Sequence, residues 1–389
     1  MRTVKIALGM IIKNLNSEGV LMRFIENAEK YGHKLEFVIV AYSHEIDPNV
    51  RRSIRGKVPF FSIDIKNPHY CRDQLNDRGV PEAAVRALLD CPVDVASGLV
   101  PYGYNRNIVM AEAILRGAET LFFVDYDVYP SVLKEMTSDG PVLEEVDFFG
   151  AHLEHLALGS QVTTGEYSGY NILPPASFSN MEELLFGLQK SDMLEYWQSS
   201  ESHRCLAVQS PERKPKPCIK VLGGNAAIKL SSFSTLPPFF SSYYSLDGEL
   251  FLCRGEDTLL GVGIAKSGTS CTDIDLNPLH DTYKGFPEEP DLRSDRATQD
   301  RFYYACTGWV GRNPFLNYIR GADLETARES HRRPLELGLR SLAEYTSNPR
   351  FNSVMRNYDA SWDSLERYIS EYECVLDAWK EFFERTDLA

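Results

Sequence analysis

Leu121-Phe122-Phe123-Val124-Asp125-Tyr126-Asp127 sets two carboxylates one residue apart directly after an apolar run. On an extended strand residues i and i+2 point the same way, so Asp125 and Asp127 can face one ligand from the mouth of a sheet. Two carboxylates side by side repel unless a positive charge lies between them, and a divalent cation carrying a diphosphate suits that place. Just upstream, residues 105–116 have helical periodicity closed by Gly117, a good C-terminal cap. Residues 5–12, 35–42 and 59–65 read as further strands, and 18–31 as an amphipathic helix with apolar residues at 20, 21, 24, 25 and 28. This alternation is the mark of βαβ units. The expected fold class is α/β, a mixed and mainly parallel Rossmann-related sheet flanked by helices, with its ligand site at the carboxyl ends of the strands.

Beyond the acids, residues 147–152 resemble another strand, with His152 and His155 nearby. Pro211-Glu212-Arg213-Lys214-Pro215-Lys216-Pro217 is a basic loop whose prolines bar a helix or a central strand. Residues 220–229 read as a strand entering a Gly-Gly turn, 256–266 as a short helix ended by Gly268, and 271–276 as a strand before His280. From about residue 295 the chain is mainly helical. This divides it into a catalytic domain over 1–290 and a helical C-terminal region over 291–389. In the last stretch Trp362, Leu365, Ile369, Tyr372, Leu376, Trp379 and Phe383 recur at spacings of three and four, the seam of a packed helix or coiled coil. Packing on the chain's own catalytic domain is the first reading of that seam, and a homodimer the second.

A length of 389 residues, 43% hydrophobic and 25% charged, belongs to a folded globular protein and leaves room for a sizeable core. The net charge of −14 argues against non-specific binding to nucleic acid or an anionic bilayer, so an anionic substrate needs a local cationic site or a metal. No stretch reaches the roughly 18–20 apolar residues that span a bilayer, and the N-terminal run is too short and lysine-broken for a signal peptide. A cytoplasmic protein is expected. Its eight cysteines include no Cys-x-x-Cys pair, which points to reduced thiols and to neither a zinc site nor a disulfide framework.

Four elements carry chemistry. Gly103-Tyr104-Asn105-Arg106-Asn107 opens a helix whose free N–H groups suit an anion, with Arg106 adding a fixed charge; the plainer alternative is Asn105 as a cap. Asp125-Tyr126-Asp127 is the second. In Gly223-Gly224-Asn225 the missing Cβ atoms let the backbone approach a ligand. Gly255-Glu256-Asp257 stands at a helix start, and His280 follows 23 residues after Asp257.

As an ordered set over roughly residues 4–285, these elements, with Phe233 following the Gly-Gly-Asn segment, resemble the nucleotide-sugar-dependent glycosyltransferases of the GT-A fold. The resemblance implies a GT-A-like domain and Mn2+ or Mg2+ held beside a diphosphate by Asp127, with Asp125 facing the ribose or sugar and His280 as a further metal ligand. It implies that Gly223, Gly224 and Asn225 line the donor sugar and acceptor, and that Asp257 of the Glu256–Asp257 pair is the base in an inverting reaction. The partners it implies are a UDP- or GDP-sugar donor and a hydroxyl acceptor. Two departures bear on the reaction. The second strand ends in Ala41-Tyr42-Ser43-His44-Glu45 and lacks the Asp-Gly-Ser turn that holds a uracil ring in many inverting members. No Gln-x-x-Arg-Trp motif of processive members is present, which favours transfer of a single sugar.

Two other classes compete. A sugar nucleotidyltransferase shares the paired acids but carries a glycine- and lysine-rich loop after its first strand, where this chain has Ile11-Ile12-Lys13-Asn14-Leu15-Asn16. A non-catalytic sugar-binding or scaffold protein would use the 20 Tyr, 20 Phe and 4 Trp as stacking surfaces, but has no need of the acid pair.

Overall fold

The computed structural model describes residues 4–93, 99–170, 173–194 and 206–386. Its chain starts with β1 (Ile6–Leu15), α1 (Gly19–Lys30), β2 (Leu35–Ile46), α2 (Pro48–Arg55) and β3 (Phe60–Asp64), the parallel βαβ run expected from the alternating pattern. Two short helices, α3 (His69–Asp77) and α4 (Glu82–Leu89), precede α5 (Tyr102–Leu115), and β4 (Thr120–Val124) brings the chain back beside β1. All five residues of β4 are buried, which is why its sequence is a continuous apolar run and does not alternate.

After the acids come β5 (Val128–Thr137), β6 (Gly140–Glu145), α6 (Phe148–Ala157), β7 (Val162–Thr164), α7 (Met181–Gly187), the two-residue β8 (Lys216–Pro217) and β9 (Asn225–Lys229). The main sheet has eight strands in the order β3-β2-β1-β4-β9-β7-β12-β8, where β12 is Cys271–Asp273. Its first four strands are parallel, β9 runs antiparallel between β4 and β7, and β8 is an antiparallel edge. The mixed, mainly parallel α/β class is therefore as expected, and residues 211–217 form neither helix nor central strand, with only Lys216–Pro217 of that loop pairing at the sheet edge. The chain leaves β1 toward β2 on one side and returns as β4 on the other. That reversal opens a crevice at the carboxyl ends of β1 and β4, where Asp125 and Asp127 stand.

A hairpin of β10 (Tyr243–Leu246) and β11 (Glu249–Leu252) leads into α8 (Glu256–Ser267). After β12, β13 (Pro278–His280) joins β5 and β6 in a separate three-stranded sheet. The remainder is helical: α9 (Arg296–Arg320), α10 (Leu324–Tyr345), α11 (Val354–Asp363) and α12 (Leu365–Glu384). Among the described residues no helix is long and apolar enough to cross a membrane, and seven cysteines are free.

Several expectations need correction. Residues 147–152 are not a strand: Asp147 caps α6, its carboxylate accepting from the Gly150 N–H at 2.8 Å. The Gly223-Gly224 pair precedes β9 and does not end it. The seam over 359–385 belongs to two helices that meet at Ser364. Trp362 and Leu365 are buried among α7, α9 and α10, whereas Trp379 and Phe383 are buried on the sheet side against Phe233 and α4. The seam is thus covered largely by its own chain, and the homodimer reading loses its basis.

Candidate functional site

A cavity of about 480 Å³ opens at the crevice, within the range of a small-molecule site. Among the residues around it are Arg106, Asp125, Asp127, Gly223, Glu256, Asp257 and His280, so most of the residues singled out from the sequence meet there. Asn225 does not. It is fully buried, donating to the Glu166 and Leu276 carbonyls at 3.0 and 3.1 Å and accepting from His152 Nε2 at 3.1 Å, so it ties strands together behind the cavity.

Backbone pairing positions His280. Its residue opposes Val128 in the β13–β5 ladder, the Asp281 N–H donates to the Asp127 carbonyl at 2.8 Å, and the His280 N–H donates to Ser168 at 2.7 Å. The imidazole is thereby brought across the strand start, with Nε2 3.0 Å from Asp127 Oδ1 and 3.0 Å from Thr282 Oγ1. Burial disfavours the charged imidazole, but the carboxylates of Asp127 and Asp125 outweigh it and raise the pKa. Burial likewise works against the Asp127 carboxylate, and His280, joined by Arg301, more than compensates, lowering its pKa. The other His280 ring nitrogen, Nδ1, is buried without a hydrogen-bond partner.

Asp125 faces a different partner. Arg106 donates from Nη2 to Asp125 Oδ1 at 3.1 Å, from Nε to Glu256 Oε1 at 3.2 Å and from Nη1 to the Gly223 carbonyl at 2.6 Å. Helix α5 begins at Tyr102, with Pro101 at the cap position, so Arg106 lies past the first turn and Asn105 is not the cap. The guanidinium is almost wholly buried and neutralises two protein carboxylates. It is not held out toward a ligand anion, contrary to the expectation. The glycines have a matching explanation. A Cβ on Gly223 would strike the Arg106 guanidinium, and one on Gly224 would strike the Asp125 carboxylate and the Tyr167 hydroxyl. The close approach they allow is to protein groups first, though Gly223 still borders the cavity.

Asp125 is raised in pKa because burial and the charge of Asp127 outweigh Arg106. The same holds for Glu256, raised by burial and by Asp257 against Arg106. Gly255 enters α8 at φ 99°, a left-handed conformation that favours glycine, and sets Glu256 and Asp257 in the first turn. Glu256 turns inward to Arg106, while Asp257 accepts from the Thr258 N–H at 2.7 Å and remains on the cavity wall.

The donor set tests the fit of a divalent cation. Asp127 and His280 could supply one oxygen and one nitrogen ligand, a set that would suit Mn2+ better than the oxygen-preferring Mg2+ if a diphosphate and water completed the sphere. Asp125 is turned to Arg106, and among the described residues no group of three or more His, Cys, Asp or Glu is gathered so that it could hold a metal ion. A centre here would need ligands from a substrate.

Tyr167, Lys190, Arg254, Arg301 and Trp309 also line the cavity, and none was singled out from the sequence. Tyr167 accepts from the Gly224 N–H at 3.0 Å and packs its ring 4.5 Å from His280. Arg301 and Trp309 lie on α9, in the part read as a helical addition. Their spacing of eight residues, with Gly308 beside Trp309, was the available signal that one face of that helix meets something closely.

No protein-family model matches this sequence, and no curated protein matches it. Among solved structures the chain is similar to a protein described only as mycobacterial, at 12% identity and a TM-score of 0.39 over 81% of this chain and 75% of that one. It is also similar to glucosyl-3-phosphoglycerate synthase from Mycobacterium tuberculosis. The complex of that enzyme with Mn2+, UDP and glucosyl-3-phosphoglycerate matches at 12% identity and a TM-score of 0.39, over 81% and 80% of the two chains. Its complex with Mn2+ and UDP-glucose matches at 13% and 0.38, over 81% and 79%. A likeness of this degree does not by itself assign an activity.

Proposed function

We propose that the chain is a metal-dependent glycosyltransferase that moves a single sugar from a nucleotide-diphosphate sugar to a hydroxyl acceptor. The observation that carries this reading is the division of labour between the paired acids. Asp125 is locked to Arg106, whereas Asp127 borders the cavity beside His280 and, among the described residues, is ion-paired with no arginine or lysine. Asp257, at the start of α8, borders the same cavity.

In this reading Asp127 and His280 hold the cation, which when bound offsets the negative charge that gathers on the departing diphosphate. Arg106 fixes the carboxylate of Asp125 and, through Gly223, the backbone beside it. Asp257 takes the proton of the attacking hydroxyl if the anomeric centre is inverted. Glu256 is held by Arg106 and serves to seat that helix start, so of the two acids Asp257 is the one free to act.

A thermal-shift panel of UDP-, GDP-, ADP- and CMP-sugars with and without Mn2+ tests the proposal, because a ligand that binds the folded state raises the midpoint with the logarithm of its concentration over Kd. One nucleotide sugar should stabilise the protein only with the metal. Asp127→Ala should lose that shift while unfolding like the parent chain. Asp257→Asn should keep it, yet transfer about 10²–10⁴-fold more slowly. Stabilisation that persists in excess EDTA, or transfer at parental rate by Asp257→Asn, contradicts the assignment.

A further inference from the structure

Helix α9 forms a wall of the cavity as well as a buttress of the fold. Arg301, Gly308 and Arg312 recur at seven and four residues, so they share one face. Gly308 lets the side chain of Arg254 lie across the helix; a Cβ there would stand 2.5 Å from Arg254 Cγ. Beside it, Lys190 Nζ lies 5.2 Å from the centre of the Trp309 ring. Lys190, Arg254 and Arg301 all border the cavity, and among the described residues none of the three makes an ion pair. The other two cations of the cavity, Arg106 and Lys220, are both paired, with Asp125 and Glu256 and with Glu166 respectively. In a chain of net charge −14, three cavity cations that meet aromatic side chains and, among the described residues, no carboxylate within ion-pair distance are a feature to explain: Arg254 lies 5.9 Å from the Tyr102 ring, and Arg301 hydrogen-bonds to Tyr126 and lies 5.4 Å from the Tyr283 ring.

They fall into two groups. Arg301 acts on Asp127 and Tyr126, at the end where the diphosphate belongs. Lys190 feels Asp257 and Asp192 from further along, and Arg254 immediately precedes Gly255, the entry to the Asp257 helix. Cations beside the candidate base, away from Asp125 and Asp127, suit the second substrate. We propose that the hydroxyl acceptor carries an anionic group, a carboxylate or a phosphate, which Lys190 and Arg254 hold beside Trp309 so that its hydroxyl lies near Asp257. This rests on the transferase reading and adds the class of acceptor to it. Burial and the nearby Arg312 pull the Lys190 pKa down to about 8, which is the direction expected of an ammonium kept without an anion.

The test uses the whole chain loaded with Mn2+ and UDP or GDP, whichever binds. Inorganic phosphate, glucose 6-phosphate, glucuronate and glucose are then titrated, with the thermal midpoint as readout. The three anions should bind the nucleotide-loaded protein and glucose should not. Lys190→Met and Arg254→Met should each weaken the anions about tenfold or more and change the nucleotide Kd less than about twofold. Lys190→Arg, which keeps the charge, should retain anion binding and guards against a variant that merely misfolds. Anions displaced by the nucleotide would reassign these cations to the donor diphosphate and overturn the proposal, as would anion affinities that both Met variants leave unchanged. If neither nucleotide binds, it is the transferase reading that fails. Phosphate titration of the unloaded protein and the same variants then decides whether the anion site exists.

Discussion

Arg106 makes the two acids of the Asp125–Asp127 pair unlike each other, although the sequence presents them as equals. Both acids do border one cavity, though not through strand pleat: β4 ends at Val124, and Asp125-Tyr126-Asp127 form the turn into β5, with the Val128 N–H donating to the Asp125 carbonyl at 3.2 Å and Tyr126 on the cavity as well. What no local pattern could supply was the partner, since Arg106 and Glu256 are 150 residues apart and meet only when α5 and α8 pack at the same crevice. Their identity as an internal triad with Asp125 gives a clear expectation. Arg106→Met should destabilise the fold by about 3–5 kcal/mol, the general consequence of leaving buried carboxylates without their cation. Denaturant unfolding measures this, whereas a phosphate-binding arginine would change donor affinity and leave stability nearly untouched. His152 is a second residue whose role emerged only in three dimensions. Packed between Thr163 and Asn225, its ring is held neutral by burial, with the pKa lowered to about 3 from an ordinary 6.5. Between those values the unfolded chain binds a proton that the folded chain refuses, so stability falls as pH drops below about 6.5. His152→Gln should flatten the stability profile between pH 4 and 6 by roughly 1.4 kcal/mol per pH unit relative to the parent. Parallel profiles would mean that the ring is protonated inside the fold.

At the scale of elements, strands β1 to β4 and helices α1, α5 and α8 were legible because each carries a period, a cap or a glycine stop. Residues 147–152 misled because a short apolar run such as Phe148-Phe149 fits a strand or a buried helix equally. The decisive signal was the capping side chain of Asp147, three residues ahead of the Gly150 N–H it accepts. The crossing of α7 and α10 was not legible at all. There Gly187 lies against Leu335 and Gly338 against Leu184, each glycine facing the other helix at backbone distance. Two effects oppose one another if a methyl is added. Helix propensity favours Gly338→Ala by about 1 kcal/mol, but the new Cβ would collide with Leu184 main chain, and overpacking of a tight contact costs about 1–3 kcal/mol. Because the obstacle is backbone and cannot swing aside, the collision should win. Gly338→Ala is expected to lower the thermal midpoint, and a raised midpoint would show that the helices can part without loss.

The molecule as a whole has no clean break between its α/β part and its helices. Helix α9 lends Arg301 and Trp309 to the cavity, and α12 joins the two largest apolar clusters: Leu365 and Tyr368 sit among the C-terminal helices, while Ala378, Trp379, Phe382 and Phe383 sit on the sheet side with α4 and Phe233. The sequence revealed the seam through its spacing but could not name the surface it covers, since that surface joins α4, nearly 300 positions earlier, to Phe233. A seam used for dimerisation and one used for internal closure predict different outcomes when it is cut. For a dimer, removing residues 365–386 would halve the mass in solution and leave the subunit stable. For the arrangement described here it would uncover the α4 and Phe233 surface together with part of the helical cluster, an exposed apolar patch of the kind that drives aggregation. Trp379→Ala keeps the helix and removes only its largest anchor, so it separates the two more gently. It should destabilise the chain by about 3–5 kcal/mol, the usual range for emptying a buried aromatic site, with the mass in sedimentation unchanged at concentrations where the protein stays folded. A lighter species of undiminished stability would restore the dimer seam, and a loss of stability at constant mass would place α12 as the strap that holds the helical wall of the cavity against the sheet.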